Sequence, residues 1–69
     1  MAEVYEDVPH ALLHKRVRDI ASGVEGELMA VVHENVAASA FPEHWVDLAY
    51  VRSASGREFS TIVDNIEPA

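Results

Sequence analysis

The sequence contains no cysteine, and only three prolines, three glycines and one tryptophan occur among its 69 residues. The absence of cysteine excludes disulfides and thiolate zinc sites, which often support chains this short. No apolar run approaches the roughly 20 residues that a transmembrane helix needs. The first residues are acidic where a secretory signal is basic. We therefore expect a protein that stays in the cytosol, with no membrane partner.

Basic residues are also scarce. Five Lys and Arg stand against 12 Asp and Glu, which gives a net charge of −7. Phosphate binding needs clustered basic side chains, so this composition disfavours nucleic acid as a specific partner. Apolar residues, in contrast, make up 49% of the chain, which is too many for a disordered protein. A chain of this length buries only about 60% of its unfolded surface, so we expect association to supplement a thin core.

The spacing of apolar residues predicts one long helix from Pro9 to about Ala40, after an acidic lead over residues 1–8 that forms a strand or an arm. The residues of this apolar stripe advance in steps of three or four, as one face of a helix requires: Leu13, Val17, Ile20, Val24, Leu28 and Val31. Gly23 and Gly26 each cost about 1 kcal/mol inside a helix. They indicate a kink, or a break between two helices, although the stripe continues through them in register.

The second half of the chain predicts a β-hairpin over residues 45–64. Apolar and polar residues alternate from Trp45 to Arg52 and again from Arg57 to Val63, on either side of a small turn-forming segment. Pro42 ends the preceding helix, because the residue before a proline is pushed out of helical geometry. The predicted fold class is therefore α+β: a single small domain over residues 1–69, with one long amphipathic helix packed on a small antiparallel hairpin.

Residues that could carry chemistry are few. His10 and His14 lie four apart and share a face of the predicted helix, but a zinc site needs a third ligand that the sequence does not place there. We therefore predict two surface histidines and no metal site. The sequence has no nucleophile-elbow pattern and no phosphate-binding loop. These observations predict a protein that is not an enzyme, with no catalytic residues, cofactor or small-molecule substrate.

The length of the predicted helix suggests an interface. A helix of about 30 residues is about 45 Å long, whereas a globule of this chain length is only about 28 Å across. One hairpin cannot cover such a helix, so either the helix breaks at Gly23–Gly26 or its apolar stripe continues onto another copy of the chain, and we predict self-association. Lys15, Arg16 and Arg18 lie beside the stripe and would dock on acidic ends of neighbouring copies. Trp45 would add an aromatic anchor to this interface.

The chain begins with a Val4-Tyr5 lead, continues with the predicted long helix that ends near a proline, and then with the hairpin and the segment from Asp64 to Ala69. This order resembles the small neck or tail-completion proteins of long-tailed phages that infect actinobacteria. The resemblance implies a structural, self-associating virion component in a ring at the head–tail junction or tail end, with other virion proteins as partners. It implies the host cytoplasm during assembly, and then the virion, as its location. The chain departs from the pattern in stopping where the next strand would begin, and in its helix–sheet junction from Phe41 to His44.

A second interpretation of the sequence assigns the protein to a different functional class. A small acidic regulatory protein, antitoxin-like or an inhibitor, would act by protein–protein binding and would need no ring. A mimic of DNA charge would line its acids along one face, but Lys15, Arg16 and Arg18 interrupt them. An antitoxin would carry a basic DNA-binding element or a disordered acidic tail, and the sequence indicates neither.

Overall fold

The computed structural model describes residues 5–37 and 42–69, and the regular structure there consists of strands and one 3₁₀ turn. The elements follow in this order: β1 (Tyr5–Asp7), β2 (Arg16–Asp19), β3 (Glu25–Asn35), β4 (Trp45–Ser53), β5 (Glu58–Ile62), the 3₁₀ turn (Val63–Asn65) and β6 (Ile66–Pro68). Val4 of the predicted lead, the predicted helix end near Ala40, and Phe41 of the predicted junction lie outside the described residues.

All strand pairings are antiparallel, and the strand order is β5-β4-β3-β2-β6. The long strand β3 is central, and β4 pairs with almost its whole length. The opposite edge of β3 is shared by two short strands. β2 pairs with residues 25–27, and β1 pairs with residues 32–34. The loop over residues 8–15 connects these two strands, and β6 pairs with the outer edge of β2.

The sheet curls until its two ends meet. In a flat sheet, β5 and β2 would be separated by two strands, or roughly 14 Å at the usual strand spacing. Instead, the hydroxyl of Thr61 in β5 donates a hydrogen bond of 3.1 Å to the carboxylate of Asp19 in β2. The backbone N–H of Ile20 also donates to the carbonyl of Asn65 in the 3₁₀ turn, at 2.7 Å. These contacts close the curled sheet around one core.

The core lies on the concave side of the curled sheet. It is built from small and branched side chains of the three central strands: Val17, Leu28, Val31, Ala49 and Val51. Partly buried side chains from the loops and the outer strands cover it: Val8, Leu12, Leu13, Phe59, Val63 and Ile66. The burial of apolar surface drives this packing, at roughly 25 cal/mol per Å² removed from water.

The predicted long helix is wrong, and the fold is an antiparallel all-β sheet rather than α+β. The described part of residues 9–40 forms a loop, β2, a turn, the whole of β3 and the first residues after it. Gly23 has a φ of 75° in the turn between β2 and β3. Positive φ suits glycine and does not occur within a right-handed helix. In the second half, β4 and β5 do form an antiparallel hairpin within residues 45–64.

A β-bulge explains why part of this sheet has a helical apolar pattern. The pairing of β3 with β4 shifts register between Leu28 and Ala30. A bulge inserts one extra residue, so the side chains beyond it change faces. Leu28 and Val31 are therefore both buried, although their positions differ by three, which would place them on opposite faces of a regular strand. A spacing of three is what one face of a helix also shows.

Asp19 organises the turn between β2 and β3. Its carboxylate accepts hydrogen bonds from the backbone N–H and the hydroxyl of Ser22, at 3.1 and 2.6 Å, as well as from Thr61. The hydroxyl of Ser22 lowers the pKa of Asp19 most, and the hydroxyl of Thr61 lowers it further, against a partial desolvation of the carboxylate. Asp19 therefore links the turn to β5 in its ionised form.

Acid should weaken the fold through Asp19. Its pKa is lower in the folded protein than in the unfolded chain, where an aspartate titrates at about 3.9. The stabilisation is therefore complete above that value and is lost as the pH falls through the folded pKa. Urea unfolding of the Asp19→Asn variant, measured from pH 7 to pH 2, should depend less on pH than that of the parent chain. The matched variant Asp64→Asn should keep the parent's pH dependence, and equal flattening in both would contradict this role.

Candidate binding groove

The predicted apolar stripe does not form a continuous surface. Half of it belongs to the core, where the exposed fraction is 2% or less: Val17, Leu28 and Val31. Leu13 is partly buried against that core. Ile20 and Val24 are exposed, and both lie in the turn between β2 and β3. The structure therefore leaves only two residues of the stripe free to contact a partner.

The three clustered basic residues lie at the same end of the molecule as that turn. The Nε atoms of Arg16 and Arg18 lie 3.2 and 3.6 Å from the two carboxylate oxygens of Glu25. Lys15 is exposed and immediately precedes β2. One glutamate thus pairs with both arginines and offsets part of the positive charge of the cluster.

The two histidines considered as metal ligands, His10 and His14, contact different parts of the chain. The Nδ1 atom of His10 accepts a hydrogen bond from the backbone N–H of Leu12, and His14 faces Glu27 at 3.5 Å. Residues 5–37 and 42–69 contain no group of three His, Cys, Asp or Glu side chains that could hold a metal ion. Within those ranges there is also no helix of the length and apolarity needed to cross a membrane.

A groove between the first residues of β4 and the 3₁₀ turn is the candidate site. Its volume is about 330 Å³. Its lining combines aromatic, apolar and acidic side chains from β3, β4, β5 and the 3₁₀ turn: His33, Trp45, Val46, Asp47, Ile62, Val63 and Asp64. Trp45 and Ile62 are exposed at 39% and 41%, so two large apolar side chains of the lining are accessible to solvent.

Three side chains of the groove hold one another in place. The Nδ1 atom of His33 lies 2.7 Å from a carboxylate oxygen of Asp47, its partner across the two strands. The ring of His33 stacks on the indole of Trp45, with centroids 5.1 Å apart and an interplanar angle of 18°. The indole N–H of Trp45 donates to Glu43 at 2.9 Å. The indole is therefore fixed by one ring face and by its polar edge.

The strand geometry explains why a groove forms here. The first three residues of β4, from Trp45 to Asp47, pair with β3 on one edge. β5 begins to pair with β4 only at Leu48, because the chain turns away into the 3₁₀ turn after Ile62. Within the described residues, no strand pairs with the other edge of these three residues. The groove follows this open edge.

Asn35 fixes the chain that enters β4. It is buried at the end of β3, and its side-chain oxygen accepts hydrogen bonds from the backbone N–H groups of Ala37 and His44, both at 3.1 Å. The N–H of Val36 donates in turn to the carbonyl of His44. These bonds hold the two ends of the connection together and so set where Trp45 enters the sheet.

Charge is divided unequally between the two ends of the molecule. All five Lys and Arg lie where β2 meets the start of β3 and where β4 meets β5, and five acids accompany them: Asp19, Glu25, Glu27, Glu58 and Glu67. The groove end carries six acids and, among the described residues, no Lys or Arg: Glu6, Asp7, Glu34, Glu43, Asp47 and Asp64. One end is balanced, and the groove end is strongly negative.

One acid of this end is occupied by a neighbouring tyrosine. The hydroxyl of Tyr50 donates to the carboxylate of Glu34 at 2.7 Å. This bond, with the partial burial and the nearby negative charge, raises the pKa of Tyr50 above its ordinary value. The hydrogen bond ties β3 to β4 beside the groove and keeps Glu34 from turning toward a ligand.

The groove contains one pair of side chains, His33 and Asp47, of a kind that also occurs in catalytic sites. A carboxylate that orients a histidine is the positioning half of a catalytic triad. The seven residues that line the groove, however, include no hydroxyl or thiol side chain on which such a histidine would act.

Comparison with protein-family models, with curated proteins and with solved structures finds no match to this chain.

Proposed function

We propose that this protein acts by protein–protein binding, as a small acidic module that holds a partner protein at the groove beside Trp45. The observation that carries this proposal is the pair of exposed large apolar side chains, Trp45 and Ile62, in a groove at the acidic end of the molecule. Aromatic side chains in pockets are frequent anchors of interfaces, and a rim of polar residues commonly surrounds them.

The distribution of charge favours a partner other than a second copy. Two groove ends brought together would place six acids opposite six acids, and like charges opposed across an interface cost several kcal/mol. The other end of the molecule has five bases and five acids and so offers the groove no net attraction. The proposed partner is therefore a different protein with a basic contact surface.

The virion role stays a prediction from the sequence. The resemblance to neck and tail-completion proteins depended on a long helix, and the described part of residues 9–40 contains none. What supports the binding proposal does not depend on that resemblance. The regulatory reading, in which a small acidic protein acts by binding another protein, agrees better with the charge and the groove.

Photo-crosslinking tests the proposal. A photoreactive residue at position 62, in the groove, should form one adduct of defined mass in the cells that produce the protein. The same residue at position 55, in the exposed turn at the other end, should not form that adduct. Identification of the adduct by mass spectrometry, and its formation again from the two purified proteins, would support the proposal. Equal adducts at both positions would contradict it, and an adduct of two copies of this chain would support self-association instead.

A further inference from the structure

We infer that the groove recognises an arginine side chain within an extended basic segment of the partner, an inference that rests on the proposed function. The groove combines a fixed indole, two carboxylates and an apolar wall within about 330 Å³, which is at the small end of the range for ligand sites. Each of these three parts complements a different portion of an arginine side chain.

The indole complements the guanidinium plane. One face of Trp45 is stacked on His33, and the residue remains 39% exposed. A guanidinium group stacks on aromatic faces, and tryptophan is the best acceptor for such contacts. Because Glu43 holds the indole N–H, the ring is already oriented before a ligand arrives, which lowers the entropy cost of binding.

The carboxylates complement the guanidinium charge. Asp64 is exposed, and its carboxylate forms no hydrogen bond or ion pair with any residue of the described part of the chain. Asp47 uses one oxygen for His33, and 43% of its side chain is exposed. The planar fork of arginine matches carboxylates with two parallel hydrogen bonds, whereas the ammonium of lysine is a single point charge. The groove should therefore prefer arginine to lysine.

The apolar wall and the open strand edge complement the rest of the segment. Ile62 and Val63 offer apolar surface to the aliphatic stem of an arginine. Residues 45–47 lack a strand partner on the groove side within the described residues, so an extended segment can also bond to their backbone. Nucleic acid does not fit this site, because its phosphates would meet Asp47 and Asp64.

Trp45 is the only tryptophan of the chain, so its fluorescence reports directly on the groove. The probe is a short glycine peptide that carries two arginines, titrated into the purified full chain at low salt. We expect a saturable change in the emission of Trp45, weaker binding of the same peptide with lysines, and none with glutamates. The affinity should fall as salt is added, because salt weakens the attraction between exposed charges, with a screening length of about 10 Å at 0.1 M.

Two matched charge variants make the test specific. Asp64→Asn should weaken the binding of the arginine peptide roughly tenfold, because it removes a charge-assisted contact. Glu58→Gln makes the same change in charge at the other end, where Glu58 lies 3.5 Å from Arg52, and should leave the affinity within about twofold. No saturable change with the arginine peptide, or equal weakening in both variants, would overturn the inference. If crosslinking at position 62 still identified a partner, the binding role would stand and only arginine recognition would fail.

Discussion

Replacement of Gly26 by alanine should strongly destabilise this protein. Gly26 is buried in β3, and a Cβ atom built on it would lie 2.3 Å from the backbone carbonyl oxygen of Arg52 and 2.7 Å from its carbon. These are backbone atoms of the paired strand β4, so the added methyl group can be accommodated only if the two strands move apart. We expect a loss of about 3 kcal/mol or more, at the upper end of the range for overpacking.

Such a loss is large for a chain of this length, whose total stability is expected to be roughly 3 to 10 kcal/mol. Urea unfolding followed by the fluorescence of Trp45 measures it. The matched control is Gly56→Ala in the turn between β4 and β5, where φ is 84° and nothing lies within 4 Å of the added atom. That variant should lose only the cost of a left-handed conformation, about 1 to 2 kcal/mol. Gly26 does not have a positive φ, so equal losses in the two variants would contradict the steric cost expected from contact with β4.

Gly23 and Gly26 show why the sequence favoured a helix over residues 9–40. On helix propensity alone, Gly23 and Gly26 each make one long helix moderately less stable. In the structure they have separate roles, since Gly23 makes a turn with positive φ and Gly26 allows a close approach of two strands. The propensity of a glycine does not distinguish these roles, because both depend on backbone conformation and on a neighbouring strand.

Periodicity was misleading for a related reason. The stripe combined residues from a loop, a strand, a turn and a bulged strand, whose spacings happened to be three or four. The side-chain chemistry did contain the opposite signal. Most of these residues are β-branched, as at Val17, Ile20, Val24 and Val31, and β-branched residues favour strands. Weighting that preference, with the turn potential of Gly23, would have favoured a hairpin over residues 16–35.

The second half of the chain was more predictable because its pattern is local. Alternation within residues 45–52 and 57–63, around a small turn, depends only on near neighbours, and β4 and β5 form there. The candidate site was less predictable because it depends on pairing between distant residues. Trp45 was identified from its type alone. His33 and Asp47 are 14 residues apart and meet only through the register of β3 and β4.

The contact that closes the sheet was equally beyond local patterns. Thr61 and Asp19 are 42 residues apart in the chain, and their hydrogen bond exists only because the sheet curls. The same holds for the segregation of charge. The sequence shows acids throughout, and the fold collects the five bases and their five balancing acids at one end. Among the described residues, six acids without a basic counterpart remain at the other end, and they support the proposed binding role.

Leu28→Ala should be the most damaging truncation in the core. Leu28 is fully buried and is the largest of the fully buried side chains. Removal of its outer carbons forfeits their transfer free energy and leaves a cavity between β2, β3 and β4, so we expect a loss of about 2 to 5 kcal/mol. Thermal and urea unfolding of the purified variant would measure it, with circular dichroism to confirm that the folded variant keeps its strand signal.

The matched variant is Ile20→Ala, which removes the same number of carbon atoms from another member of the predicted stripe. Ile20 lies in the turn after β2 and is 55% exposed. Its truncation should cost under about 1 kcal/mol, because most of the side chain is already in contact with water. A helix that packed its stripe on a hairpin or on another copy would bury both side chains, and would therefore lose similar stability in the two variants. A large difference between Leu28→Ala and Ile20→Ala is what the curled sheet requires, since only Leu28 points into its core.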